Sequence, residues 1–357
     1  MKKKIFLSFD FYGSGNIGDD IMLEGFLRGM GYNDYDYYCY VPKNREHIKR
    51  RFAGVKFVSK DEKDDTEKDC PVWVGAGDTP VQVKSGNWFI DKLIRDNESR
   101  KKLGFGYFFT GIGAEKEAVG RKDLFREILN NSDHIWTRDM MTFDFLKDEI
   151  RVDKDKLTCS SDLANIFLND VFGNNRIIKK NRKYETGICF YDESPGLDDG
   201  LIIKKFLKKN FKKGKCLLIC NDVNIKGNFE YSVYRKMFTK AEKFFKTDIK
   251  IFMPDYYAET KTQNLISHFE DCDLIITSRY HALLTAAWAG CKVISLERSS
   301  KVTALADELG IFEIKKPFTE EKLGESLHKA VTVDRKKLDT LYKKSLSGIM
   351  QLSGILQ

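Results

Sequence analysis

The sequence lacks the patterns that mark metal ribbons, disulfide scaffolds and membrane spans. None of its eight cysteines forms a Cys-x-x-Cys pair, so neither a zinc ribbon nor a thioredoxin motif is predicted. Most of them stand inside apolar runs, such as Tyr-Cys-Tyr at Cys39, where a thiol packs as a small hydrophobe. Without a disulfide pattern, we expect reduced thiols. No apolar run approaches the roughly 18 residues of a membrane-spanning helix.

The amino terminus carries the positive charge of a secretion signal but lacks the apolar core of one. Met1-Lys2-Lys3-Lys4 leads into a short apolar strand and a glycine-rich loop, without a small-residue cleavage site. We therefore expect a cytoplasmic protein. The formal net charge is +8 over 357 residues, which suits anionic ligands but is small for a dedicated nucleic-acid binder.

Short apolar runs alternate with amphipathic stretches along almost the whole chain. The runs are bounded by Gly, Asp or Asn, which is typical of parallel strands covered on both faces. The alternation predicts an α/β protein with about two Rossmann-like, doubly wound domains, which we expect to face each other across a cleft. The predicted strands are Lys4–Phe9, Tyr37–Val41, Val55–Ser59, Val72–Val74, Tyr107–Thr110, Ile135–Thr137, Gly187–Tyr191, Cys216–Cys220, Ile249–Met253, Leu274–Thr277 and Val293–Leu296.

The series of strands breaks once, at a polar and basic stretch that we predict to be a linker. Residues 174–185 separate a first domain, 1–173, from a second domain, 186–332. Residues 333–357 predict a helix, which we expect to pack back on the first domain. The almost entirely charged stretch Lys60–Asp69 predicts a solvated loop.

The first strand is followed by a glycine-rich loop that matches the dinucleotide-binding fingerprint. Gly13-Ser14-Gly15-Asn16-Ile17-Gly18 opens a helix whose free N–H groups favour an anionic ligand. A nicotinamide or flavin enzyme is disfavoured, because the second strand ends in Val41-Pro42-Lys43-Asn44 rather than in an acid for the ribose. Asp19 and Asp20 follow the third glycine, where they either cap the helix or meet a ligand.

Two more glycine-bearing loops follow later strands of the first domain. Gly75-Ala76-Gly77-Asp78-Thr79-Pro80 follows the fourth strand, and Gly111-Ile112-Gly113 follows the fifth. Loops after parallel strands meet at the carboxyl edge of the sheet, where open α/β sheets bind ligands. They predict a roomy, backbone-lined pocket, unless the glycines only tighten the turns.

The most informative segment lies in the second domain, where an apolar strand ends at cationic side chains. The strand brings Ser278, Arg279 and His281 to its carboxyl end, and a helix of small residues starts at once and ends near Gly290. A guanidinium and an imidazole beside a helix N-terminus favour an anion, and Lys301 follows the next strand. The alternatives are an ion pair for Arg279 and a capping role for His281.

Two further candidates lie late in the first domain. Arg138 follows the strand Ile135–Thr137, and we expect its cation at the edge that faces the cleft. Asp162 is either an acid or base or a helix N-cap. The acidic pairs Asp34-x-Asp36 and Asp271-x-Asp273 are too weak a signal for a metal site, and we expect neither a metal nor a cofactor.

Taken together, these segments resemble the polysaccharide pyruvyl transferase family over most of the chain and in the expected order. The Arg-x-His-Ala segment and the Asn-x-Gly-Asp loop are the most specific parts. The chain departs from the family pattern at Gly75-Ala76-Gly77-Asp78, where three successive glycines are usual, and at Leu163, where proline is common. The matching segments are Asn16-x-Gly18-Asp19-Asp20, Thr137-Arg138-Asp139, Ser161-Asp162-Leu163-Ala164 and Ser278-Arg279-Tyr280-His281-Ala282, with Gly290 and Lys301 behind.

The resemblance implies the architecture of the two-domain, B-type glycosyltransferases. It also implies that pyruvate is moved from phosphoenolpyruvate onto sugar hydroxyls as a ketal, in cell-surface polysaccharide biosynthesis. Arg279 and His281 would then bind the donor, assisted by Arg138 and with Ser278 and Lys301 at the same site. His281 is the first candidate for proton transfer, because its reference pKa lies near neutrality.

Asp162 is the second candidate for proton transfer, and the loops of the first domain are expected to bind the acceptor. Acidic and amide side chains match sugar hydroxyls better than they match a phosphate. Phosphoenolpyruvate and a saccharide or lipid-linked saccharide are therefore the expected partners, with no nucleic acid. The expected acceptor-binding residues are Asn16, Asp19, Gly77 and Asp78.

Two other functions fit the same architecture. A nucleotide-sugar glycosyltransferase also needs cations and a helix N-terminus for its diphosphate, but no base pocket or ribose contact is evident in the sequence. A non-catalytic sugar-binding relative is the other alternative, since fold alone does not prove chemistry. The basic helix predicted over Leu201–Lys213 has a solvated face over a packed one, or alternatively contacts an anionic membrane from its inner side.

Overall fold

In a computed structural model, the chain folds into two α/β units, each built on its own parallel sheet. The structure describes residues 2–42, 45–83, 87–173, 182–190, 198–211, 215–223, 234 and 248–357. The first unit comprises Met1–Gly13, Asp19–Phe167 and Asp339–Gln357, and the second comprises Ser14–Gly18 and Leu168–Leu338. Most of the predicted linker, residues 174–181, lies outside the described residues.

The first unit contains seven parallel strands in the order β3-β2-β1-β4-β5-β6-β7. The order reverses between β1 and β4. Ile5 of β1 lies opposite Tyr37 of β2 on one side and Val72 of β4 on the other. Such a reversal is the topological switch point at which open α/β sheets bind ligands. The strands are β1 (Lys4–Leu7), β2 (Asp36–Tyr40), β3 (Val55–Val58), β4 (Val72–Ala76), β5 (Gly106–Ile112), β6 (His134–Thr137) and β7 (Leu157–Cys159).

The second unit repeats this arrangement in the order β10-β9-β8-β11-β12-β13, and its switch point lies between β8 and β11. Its seventh strand, β14, pairs antiparallel with the start of β12. Two doubly wound parallel sheets were predicted, and this prediction is confirmed. The strands are β8 (Tyr184–Cys189), β9 (Lys215–Ile219), β10 (Asp248–Phe252), β11 (Cys272–Thr277), β12 (Lys292–Leu296), β13 (Glu313–Ile314) and β14 (Val331–Thr332).

Helices cover the sheets between successive strands. Several end in short 3₁₀ or π turns, such as Phe145–Ile150 after the helix Met140–Asp144. Within the described ranges the α-helices are Ile17–Met30, Ile48–Arg51, Lys60–Asp69, Trp88–Leu103, Lys122–Asn130, Met140–Asp144, Ala164–Leu168, Asp198–Asn210, Thr262–Ile266, Tyr280–Trp288, Ser300–Leu309, Glu320–Ser326 and Arg335–Leu356.

The charged stretch Lys60–Asp69 is a helix, so the prediction of a loop was wrong. Ser59 and Glu62 form a capping box, in which the Glu62 carboxylate accepts from the Ser59 backbone N–H at 2.9 Å. The Lys63 ammonium lies over the Tyr40 ring, 4.6 Å from its centroid. Lys and Glu favour helix formation, and the capping box marks where this helix begins. The sequence predicted a loop because the stretch has no apolar periodicity.

The C-terminal helix Arg335–Leu356 belongs to the first unit from Asp339 onward. Ile349 and Leu352 are fully buried there. The Ser345 hydroxyl donates to the carbonyl of Asp162 at 2.8 Å, and the Trp136 indole donates to the Gln351 side chain at 2.8 Å.

The basic helix of the second unit spans Asp198–Asn210, and residues 212–214 lie outside the described residues. Its face toward the core buries Ile203, Phe206 and Leu207, whereas Lys205 and Lys208 are exposed. This helix therefore has the packed and solvated faces that its sequence indicates. Among the residues described, no helix is long and apolar enough to cross a bilayer, and all eight cysteines are free thiols.

Candidate active site

The cationic segment of the second unit lies at the switch point of its sheet. Strand β11 ends at Thr277, and the backbone N–H of the buried Ser278 donates to the carbonyl of Cys189, the last residue of β8, at 3.2 Å. Arg279 is the N-cap residue of the helix Tyr280–Trp288, with an extended backbone. Its own N–H donates to the Thr277 hydroxyl at 3.0 Å, which fixes the turn from strand to helix.

The helix Tyr280–Trp288 is fixed at its far end by a buried cation. The Arg182 guanidinium donates to the carbonyls of Ala289 and Gly290, at 3.1 and 2.9 Å. These carbonyls lie at the C-terminus of the helix, where intrahelical partners are lacking and the dipole favours positive charge. The opposite end therefore presents Arg279 and His281 from a rigid element.

The middle of the glycine-rich loop belongs to the second unit and pairs with the segment after β9. The N–H of Ile17 donates to the carbonyl of Asn221 at 3.1 Å, and the N–H of Val223 donates to the carbonyl of Gly15 at 2.8 Å. Asn16 thus forms a β-bridge with Asp222, and its side-chain oxygen accepts from the Gly18 N–H at 3.1 Å.

Gly18 lies directly against the His281 imidazole. A methyl group built on Gly18 would overlap Nδ1 and the adjoining carbon atoms of this ring. Only glycine leaves room for the imidazole in this position. The loop that resembles a dinucleotide fingerprint therefore shapes the site around His281.

Asp222 is a component of the site that sequence reasoning missed. Its carboxylate lies 3.8 Å from the Arg279 guanidinium, and the two side chains are 32% and 12% exposed. The sequence carries no local signal for it, because Asn221-Asp222 follow strand β9 and approach Arg279 only through the order β9-β8-β11. The ion pair that sequence analysis offered as an alternative for Arg279 is therefore present.

Lys301 lies in the first turn of the helix Ser300–Leu309, which follows β12, the strand next to β11. It is half-buried. The second unit thus places Ser278, Arg279 and His281 directly after β11 and Asn16 beside the segment after β9, with Lys301 after β12.

In the first unit, Arg138 is almost completely buried beside a glycine. Its guanidinium donates to the Thr79 hydroxyl at 3.3 Å, and its side chain is 1% exposed. A methyl group on Gly113 would overlap this guanidinium. The neighbouring Asp139 caps the next helix, since its carboxylate accepts from the Thr142 N–H at 2.7 Å.

The loop after β4 meets the same cluster. Gly77 and Asp78 both have positive φ, 80° and 60°, the left-handed region that few non-glycine residues adopt. The carbonyl of Asp78 accepts from the Gly113 N–H at 2.7 Å. Gly77, Asp78, Gly113 and Arg138 therefore meet at the carboxyl ends of β4, β5 and β6.

The carboxylates of Asp20 and Asp162 are completely buried. Asp20 forms an ion pair with Arg51 and accepts from the Gly13 N–H at 3.0 Å, which gives it a structural function. Asp162 accepts from the Ala164 N–H at 2.9 Å, the geometry of the N-cap that sequence analysis gave as its alternative function. Asp19 is 5% exposed.

Within the described ranges, no three His, Cys, Asp or Glu side chains come close enough to hold a metal ion. The chemistry that the two clusters offer is anion binding by guanidinium groups, hydrogen bonding by carboxylates, and proton transfer by an imidazole.

Two sheets of this strand order, with glycine-bearing loops at the carboxyl edge of the first, give the chain a two-domain α/β fold of the kind seen in B-type glycosyltransferases. The family model of polysaccharide pyruvyl transferases matches residues 16–300, and the chain belongs to this family. Membership makes it a transferase of polysaccharide modification. No curated protein matches the chain by sequence.

Solved structures support the fold at low sequence identity. UDP-GlcNAc 2-epimerase from Methanocaldococcus jannaschii is 13% identical with a TM-score of 0.63, over 99% of this chain and 100% of that one. HepE of Anabaena, in complex with UDP and glucose, is 10% identical with a TM-score of 0.59, and the match covers 100% of this chain and 98% of that one. UGT89C1 of Arabidopsis thaliana, complexed with quercetin, is 8% identical with a TM-score of 0.55, over 99% of both chains.

Proposed function

We propose that the protein transfers pyruvate from phosphoenolpyruvate onto two hydroxyls of a sugar as a ketal. The observation that carries this proposal is the arrangement of Arg279 and His281 at the switch point of the second sheet. Both belong to the segment matched by the family model. Phosphoenolpyruvate is a compact polyanion, and a guanidinium beside a helix N-terminus suits its phosphate and carboxylate.

The chemistry needs one acid, one base and charge stabilisation. A proton is added to the methylene carbon of the donor, which leaves an oxocarbenium-like centre at C2. The first sugar hydroxyl forms a C–O bond to C2 and loses its proton. The second hydroxyl forms the other C–O bond as the C2–O bond to phosphate breaks. Of the two hydroxyl protons, one restores the acid and the other leaves with phosphate.

In this proposal His281 exchanges the proton with the methylene carbon. The imidazole is fixed against Gly18, so its position relative to Arg279 is defined within the second unit. Asp162 is a weaker candidate than the sequence suggested, because its carboxylate is completely buried and caps a helix.

We infer that the loops of the first unit bind the acceptor, a saccharide or a lipid-linked saccharide. Asp78 follows Gly77 in a left-handed turn at the carboxyl edge of the sheet, and it is half-buried rather than enclosed. Carboxylates accept hydrogen bonds from sugar hydroxyls. Asp78→Ala should therefore weaken acceptor use more than donor binding, and the reverse result would exchange the two assignments.

The alternative is a nucleotide-sugar glycosyltransferase, which the similarity to HepE, a protein solved with UDP and glucose, favours. Thermal-shift measurements with phosphoenolpyruvate and with a panel of nucleotide sugars separate the two functions, because a ligand that binds the folded state raises its apparent stability. Phosphoenolpyruvate alone should raise it. A shift with a nucleotide sugar and none with phosphoenolpyruvate would favour the alternative.

A further inference from the structure

Asp222 places a negative charge beside the cation that is proposed to bind the donor. Its carboxylate lies 3.8 Å from the Arg279 guanidinium. The backbone of Asp222 is fixed by two hydrogen bonds of its neighbours, from Ile17 to Asn221 and from Val223 to Gly15. Because the backbone is held on both sides, we expect the Asp222 carboxylate to stay near Arg279.

The geometry of this ion pair is loose. Charge-assisted hydrogen bonds between N–H donors and carboxylates span about 2.7–2.9 Å, so a separation of 3.8 Å gives attraction without a direct bond. Asp222 is also more exposed than its partner, at 32% against 12%. An anion that approaches Arg279 from solvent can thus compete with this carboxylate for the guanidinium, at the cost of repulsion from Asp222.

We propose that Asp222 is a specificity-determining residue that competes with bound anions for Arg279. A small anion with a single charged group gains too little from Arg279 to overcome this competition. A donor with both a phosphate and a carboxylate gains more contacts and displaces Asp222. Return of Asp222 to Arg279 would also favour release of inorganic phosphate after transfer. The identity of the donor rests on the proposed function, whereas competition for Arg279 does not.

The test is calorimetric titration with inorganic phosphate alone, which needs no turnover. Asp222→Asn removes the charge but keeps the shape, and we expect phosphate affinity to rise roughly 2- to 5-fold. Asp222→Glu keeps the charge and should bind phosphate as weakly as the wild type. The matched control is Asp307→Asn, which removes an exposed carboxylate from the helix Ser300–Leu309 of the same unit and should leave the affinity unchanged.

Unchanged or weaker phosphate binding by Asp222→Asn would overturn the proposal and make Asp222 a residue that orients Arg279. An equal gain of phosphate affinity in Asp307→Asn would also overturn it, because the effect would then come from net charge alone. Binding of phosphate by Asp222→Asn must also disappear on adding Arg279→Ala. A positive result in the phosphate titrations with no pyruvyl transfer would contradict the proposed function and leave the competition intact.

Discussion

Single glycines determine where two of the side chains in the proposed chemistry lie. Gly18 gives space to the His281 imidazole, and Gly113 gives space to the Arg138 guanidinium. Neither of these two glycines has a positive φ, so the requirement is for close approach rather than for a left-handed backbone. The sequence showed these glycines as loop formers, and only the structure shows which side chains they accommodate.

Gly18→Ala should displace the imidazole and lower turnover by about 10-fold or more, since even a small misplacement of a catalytic group costs rate. Gly354→Ala is the matched control, because a methyl group there meets nothing within 4 Å. The measurement is turnover together with the melting temperature of each variant. Full activity in Gly18→Ala would show that the position of His281 is irrelevant to the reaction.

His281→Ala separates proton transfer from anion binding. If the imidazole exchanges the proton, kcat should fall by roughly 10²–10⁴-fold while the donor dissociation constant changes little. The measurement is steady-state kinetics beside calorimetry with phosphoenolpyruvate. Equal losses in both quantities would make His281 a phosphate contact only.

His268 should make the protein less stable in mild acid. Burial lowers its pKa from 6.5 to about 3, and neither ring nitrogen has a hydrogen-bond partner among the described residues. Between these two pKa values the unfolded state binds a proton that the folded state excludes, so stability falls as pH decreases below 6.5. From pH 6.5 to 5 the loss is about 2 kcal/mol.

The test compares urea unfolding of the wild type and His268→Phe at pH 6.5 and 5. The substitution places a third ring beside Phe252 and Phe269, whose centroids lie 4.1 and 4.7 Å from the imidazole. The variant should lose about 2 kcal/mol less than the wild type over this interval. Parallel losses in both proteins would show that His268 is not the group responsible.

Among the helices, Tyr280–Trp288 is fixed by Arg182 at its C-terminus, and its N-terminus is the end that we propose binds the donor. Arg182→Ala would leave the carbonyls of Ala289 and Gly290 without this donor. We expect a loss of about 3–6 kcal/mol in the free energy of unfolding, the sum of two hydrogen bonds from a charged group. Lys205→Ala, at an exposed position of the same unit, is the control. A loss within the error of that control would contradict the capping function.

Strands were predictable because burial on both faces leaves a continuous apolar run, as in β4, whose five residues are all buried. The helix Lys60–Asp69 was not predictable in this way, because it is stabilised by capping and charge pairs and its sequence has no apolar periodicity. Strands β7, β13 and β14 escaped detection because two or three residues are too few to establish a pattern.

At the scale of the whole molecule, the sequence predicted two doubly wound sheets because alternation of strands and helices constrains topology strongly. It predicted Arg279 and His281 because both follow one strand. It missed Asp222, whose approach to Arg279 depends on the order of three strands, and it missed that Ser14–Gly18 belong to the second unit. Contacts between segments distant in sequence carry no local signal.

Donor binding by Arg279 is tested most directly by calorimetric titration of phosphoenolpyruvate into the wild type and Arg279→Ala, beside an assay of pyruvyl transfer to a sugar panel. A guanidinium contact to an anion contributes roughly 1.5–3 kcal/mol, so Arg279→Ala should raise the dissociation constant about 10- to 150-fold. Arg279→Lys should restore only part of the affinity, because an ammonium lacks the forked geometry. A wild-type protein that ignores phosphoenolpyruvate and binds a nucleotide sugar in an Arg279-dependent manner would contradict the account.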